Sequence, residues 1–227
     1  MRLLSYTCCE LSGYEMKRAV GFFLLVASLS GNAGHAQFGT PSQHAPTIAV
    51  VSSADDARLG LVDDAVSFWN KTFHEIGSCF NLGPVTRLVQ PIPEVALQSL
   101  GRSIEIRAPT NIPPVLRDPP GDLTIFLAAS EFVSFTTGRF GPNSKRVVGI
   151  RGLKFPPMTM PNVARNVITH LLGIALGLRH NSDPTTLMCG RPAPCRPALF
   201  RSDDPGVFPL TDAERHQLLA MYSNCVA

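Results

Sequence analysis

The chain has 227 residues of ordinary apolar content, 44% hydrophobic and 16% charged, so one globular domain is the expected organisation. Its formal net charge is only +3 and its basic residues are scattered, which gives no ground for a nucleic-acid partner.

The N-terminus carries the first specific signal. In "MKRAVGFFLLVASLSGNAGHAQ" a basic pair, Lys17 and Arg18, precedes an apolar run from Ala19 to Leu29, and small residues follow up to Ala36. This pattern predicts a secretory signal peptide over residues 1–36, cleaved after Ala36, with Met16 as its natural start and 1–15 as an upstream extension. The apolar run is too short for a membrane span, so the mature chain is expected to be exported, to the periplasm or the extracellular space, without a transmembrane segment. Cys79, Cys189, Cys195 and Cys225 remain after cleavage, and four cysteines in an oxidising compartment suggest two disulfides with three possible pairings. The prolines of "GRPAP" favour a tight loop joining Cys189 to Cys195, leaving Cys79 for Cys225.

Residues 37–46 read as a linker and 47–227 as the domain. The β-branched run 47–52 predicts a buried strand. A long helix over 54–76 follows, with Ser53 and Asp56 as a capping box and Leu59, Val62, Val66, Trp69 and Phe73 on one face. Residues 84–90 read as a strand, 93–101 as a short helix opened by Pro93, 103–109 as ambiguous, and 110–121 as a proline-rich loop. Strands are predicted over 122–130 and 146–152, separated by an exposed, turn-rich stretch at 135–145. A helix apolar on nearly every face covers 161–177, and a last helix over 211–223 opens with a capping box from Thr211 to Glu214. The alternation of strands and helices gives an α/β class with a largely parallel sheet.

The chemistry-bearing stretch is "THLLGIALGLRHNSDPTTLM", Thr169 to Met188. A hydrolytic zinc site takes three protein ligands and a water, whose pKa the metal lowers towards neutrality. Two histidines four apart share one helix face, a glycine turns the chain sharply, and a third histidine then completes the tripod. A glutamate beside the first histidine moves the proton of the attacking water. His170, Gly177 and His180 stand at the offsets of the first ligand, the turn and the last ligand, and Met188 follows eight residues later.

With its spacing, its tail and the predicted signal peptide, this segment resembles the metzincin zinc metallopeptidases, in particular matrixin-like secreted bacterial peptidases. The resemblance is most specific over 161–188 and extends loosely over 47–223. It implies a zincin-type domain: a twisted, mixed, mostly parallel sheet on two long helices plus a C-terminal helix. It further implies a cleft along an edge strand that takes an extended peptide or protein segment by strand addition.

Two positions depart from the pattern. Leu171 occupies the general-base position and can neither accept nor donate a proton, and Ile174 occupies the middle ligand position and has no lone pair. Both are aliphatic, which suits a site filled in as core. Zinc would need a third ligand besides His170 and His180; Asp183 is the nearest candidate, though before Pro184 it reads first as a turn residue. The "HE" of His74 and Glu75 lies at a helix end without a following ligand histidine, and His44 and His216 read as surface residues. The leading expectation is therefore a secreted pseudoprotease with a retained peptide cleft. An active zinc endopeptidase with a rearranged site and a non-catalytic binding module are the alternatives.

Overall fold

A computed structural model describes residues 45–138, 145–190 and 206–223. The expected signal peptide, most of the linker, Cys195 and Cys225 lie outside these residues.

Five strands form one sheet in the order β2-β1-β3-β5-β4. Strands β1 (Ile48–Ser52), β3 (Leu123–Leu127) and β5 (Arg146–Ile150) are buried at every residue. Their near-continuous apolar sequences follow from being covered on both faces. Strand β2 (Val85–Val89) is a half-exposed parallel edge. Strand β4 (Phe135–Thr136) closes the other edge and is antiparallel to β5, pairing Phe135 with Gly149 and Thr136 with Val148. It lies inside the stretch expected to be turn-rich and exposed, yet Phe135 is buried. Two residues give no local periodicity to read, and the strand exists through its pairing with β5. A Cβ on Gly149 would lie 2.6 Å from the Phe135 ring, so glycine there lets the aromatic ring rest across the strand.

The period-2 alternation of the strands divides the core. On one face Ile48, Val50, Ile125, Leu127, Val148 and Ile150 meet α1 (Leu59–Glu75) and α3 (Pro161–Ala175). On the other, Val51, Phe126 and Val147 meet α2 (Glu94–Glu105) and a 3-10 turn at Pro114–Leu116. Helix α2 absorbs residues 103–105 of the ambiguous stretch and ends where Arg107 takes a positive φ of 56°.

Helix α1 begins at Leu59, later than expected, and the Ser53–Asp56 capping box does not form. The Asp56 carboxylate is engaged by Arg58 instead, accepting its backbone N–H and its guanidinium; Arg58 also donates to the Arg151 carbonyl at 2.7 Å. This ion pair is buried on both sides, so its partner-for-partner matching replaces a surface cap. Helix α4 (Asp212–Tyr222) does open with the expected capping box, Thr211 and Glu214 bonding reciprocally. No helix among the described residues is long and apolar enough to cross a membrane.

Candidate functional site

Helix α3 crosses α1 at close range, and the crossing places the site. The Trp69 indole donates to the Thr169 carbonyl at 3.0 Å. One turn on, a Cβ at Gly173 would lie 2.7 Å from the Met188 sulfur and 2.8 Å from the Trp69 ring. Met188 is fully buried there, wedged with Trp69 against the bare backbone of the helix.

The helix ends in a Schellman motif. Gly177 has φ +98°, its N–H bonds to the Ile174 carbonyl, and the Leu178 N–H reaches back to Gly173. Helix α4 satisfies the next carbonyls, with the Tyr222 hydroxyl donating to Leu176 and the Gln217 amide to Gly177. Burial raises the Tyr222 phenol far above its ordinary pKa, and nearby Arg146 only partly opposes this, so it stays a donor.

The turn brings the chain back so that His180 Nε2 lies 3.1 Å from His170 Nε2. The rings are nearly parallel, 18° apart with centroids at 5.0 Å, so they meet at their Nε2 edges. Room for the His180 ring depends on Gly190, where a Cβ would come within 2.4 Å of it. His170 Nδ1 bonds to the Leu187 carbonyl at 2.8 Å. A carbonyl only accepts, so Nδ1 carries the hydrogen and the Nε2 lone pair faces His180. Desolvation pushes the His170 pKa down to about 4; the Leu187 carbonyl opposes this and His180 adds to it. The imidazole is neutral at pH 7.

Between the two histidines the site is hydrocarbon. Leu171 is 8% exposed and belongs to the main core, and Ile174 packs partly buried against the same cluster. The Leu171 carbonyl accepts from the Thr136 hydroxyl at 2.9 Å, tying α3 to the edge strand β4.

Asp183 is exposed, and its Oδ1 accepts from both the N–H and the hydroxyl of Thr185, at 2.9 and 2.7 Å, which holds its carboxyl below the ordinary pKa. Its own N–H donates to Asn181 Oδ1. This is a turn residue bonding local backbone. Among the described residues no group of three His, Cys, Asp or Glu side chains converges as a metal site. Zinc needs three protein ligands, and two stand here, so the described residues do not by themselves fit the ion.

The remaining expected residues lie elsewhere. His74 and Glu75 end α1 on the surface, where Glu75 pairs with Arg215 at 3.1 Å, and His216 is exposed on α4. His44 is outside the described residues. Cys79 and Cys189 are each disulfide-bonded, and the backbone of Cys189 pairs with that of Asn181 in an isolated β-bridge beside the histidine pair. The Leu187 carbonyl, Thr136 and Gly190 were not legible as site residues. Only the spacing of Gly190 after Met188 could have hinted at a close approach.

No protein-family model matches the chain, and no curated protein matches it. Among solved structures it is similar to an archaemetzincin from Methanopyrus kandleri, at 17% identity and a TM-score of 0.47, over 81% of this chain and 98% of that one. It is also similar to a zinc-dependent peptidase from Methanocorpusculum labreanum, at 12% identity and a TM-score of 0.37, over 76% of this chain and 99% of that one. Values this low assign neither family nor activity, and the chemistry of the site rests on its own residues.

Proposed function

We propose that this chain is an exported pseudoprotease: a zinc-peptidase-type scaffold whose hydrolytic centre has become core and whose cleft binds an extended peptide along the outer edge of β4. The observation that carries this reading is Leu171. Its side chain lies in the main core at the position where the motif requires a proton-transferring carboxylate. General acid–base assistance contributes roughly 10²–10⁴ in rate, and a leucine supplies none of it. The peptide cleft is supported by β4, the last strand of the sheet, whose outer edge meets no further strand among the described residues. Such an edge offers backbone donors and acceptors to an added strand. Export is supported by the N-terminal pattern and by the disulfide-bonded Cys79 and Cys189, which suit an oxidising compartment.

A second reading, a zinc peptidase with a rearranged site, draws on the histidine pair. His170 has the outer carbonyl contact and the presented Nε2 that metal-bound imidazoles have. One preparation separates the two. The mature chain, residues 37–227, is dialysed against metal-free buffer, assayed for zinc, and tested on casein-type substrates. A folded protein without bound zinc and without chelator-sensitive cleavage is expected. Stoichiometric zinc with cleavage that disappears in His170→Ala overturns the pseudoprotease and leaves the second reading.

A further inference from the structure

Glu214 does more than a helix cap requires. In the capping box of α4 one carboxylate oxygen suffices, and Oε2 fills that role by accepting the Thr211 N–H at 2.8 Å. The other oxygen, Oε1, leaves the helix and accepts from Asn181 Nδ2 at 2.6 Å, 33 residues away in sequence. Glu214 as a whole is only 6% exposed, so both bonds are made away from bulk solvent, where losing one is costly.

Asn181 is the residue next to His180, and it organises the loop around the pair. Its Oδ1 accepts the Asp183 N–H, and its Nδ2 also donates to the Thr186 hydroxyl at 2.8 Å, which in turn donates to the Asp183 carbonyl. Its N–H donates to the Met188 carbonyl at 2.9 Å, and its own carbonyl accepts from Gly190, the residue that makes room for the His180 ring. Leu187, whose carbonyl sets the His170 tautomer, lies in the same loop and bonds through its N–H to Pro209 at 2.9 Å, just before α4. The Glu214–Asn181 bond from α4 thus ends next to His180, and the Pro209–Leu187 bond from the segment before α4 ends on the residue bonded to His170.

We propose that Glu214 is a positioning residue for the histidine pair: through Asn181 it fixes His180 against His170 and so makes α4 a controlling element of the site. The inference concerns the geometry of the pair on which the second reading above draws, and it does not depend on whether peptide or metal binds there.

Glutamine separates the two roles of Glu214. A capping box accepts Gln in place of Glu, so Glu214→Gln keeps the bond to Thr211. Its single oxygen is then used, and its amide N–H2 faces the N–H2 of Asn181, donor against donor. Asn181→Asp alone sets two carboxylates against each other. The double variant Asn181→Asp with Glu214→Gln restores a donor–acceptor pair with the partners exchanged.

The readout is the ring-nitrogen NMR spectrum of His170 and His180 in the metal-free mature chain, which reports tautomer and the Nε2–Nε2 contact. Each single variant is expected to abolish the contact signal between the rings, and the double variant to regain it. Thr211→Val, which removes the cap and leaves the tether, is expected to lower the melting temperature without altering the ring signals. Unchanged ring signals in folded Glu214→Gln overturn the proposal, as does a double variant that folds without regaining them. If one single variant fails to fold, the other and the double variant still decide. Failure of peptide binding in unmodified protein, with the ring signals still following the Glu214–Asn181 pair, defeats the functional reading and leaves this one standing.

Discussion

On the face of the sheet covered by α1 and α3, side chains interlock down to bare backbone; on the face under α2, packing ends in exposed apolar groups. Trp69 and Phe73 are wholly buried on the first face, and Gly173 is pressed between Trp69 and Met188. On the second face the core is smaller, Val95 of α2 and Ile106 just after it are 79% and 66% exposed, and an open cleft of about 350 Å³ lies between α2 and residues 131–133. The histidine pair belongs to the first face. A pair of rings held at 3.1 Å needs neighbours that cannot shift, and close packing at α3 supplies them. The second face holds up the sheet without having to hold a geometry.

The largest effect should come from breaking the interlock. Trp69→Ala removes a buried indole and its bond to Thr169, and is expected to cost about 3–5 kcal/mol in urea denaturation. A cost below about 1 kcal/mol would mean the α1–α3 face relaxes as easily as the other, and the contrast would fail.

A middle-sized effect is expected from pH. The folded His170 pKa, about 4, is below its ordinary 6.5, so between these values the unfolded chain binds the extra proton. Stability from this group is therefore present above pH 6.5 and lost as pH falls towards 4. For the metal-free chain the loss is on the order of 2–3 kcal/mol, because His170 is only part-buried. Stability curves of the parent and His170→Gln should converge as pH falls through that window. Parallel curves would show that His170 is not held neutral by its surroundings.

The smallest effect belongs to the α2 face. Val95→Lys should change stability by no more than about 0.5 kcal/mol and leave the histidine ring signals unmoved. A larger loss would show that this exposed face is covered by something in solution, and the two faces would then be alike.

Much of the fold was readable because the signals were local. The Gly177 turn, the Thr211–Glu214 box, the buried strands at 48–52 and 123–127, and the apolar helix carrying His170 each follow from residues within one or two turns of one another. The site was readable in part for the same reason: the spacing from His170 to His180 puts a glycine turn between them. The misreadings have one physical cause. The start of α1 depends on Arg58 taking the Asp56 carboxylate while reaching across to Arg151, and β4 depends on Phe135 and Thr136 finding Gly149 and Val148. Arg151 is 93 residues from Arg58, and the β5 partners of Phe135 and Thr136 lie beyond the reach of local periodicity.

By itself the sequence determined the order of the long elements, the helix that presents His170, the turn that returns His180, and the aliphatic residues Leu171 and Ile174 between them. Only the tertiary structure decided what the two histidines do. The Leu187 carbonyl chooses the His170 tautomer, Gly190 admits the His180 ring, and Glu214 reaches Asn181 from a helix that the sequence shows only as capped. Local backbone preference can place a side chain on a face or in a turn, but which hydrogen bond it makes is settled by groups that folding brings within about 3 Å.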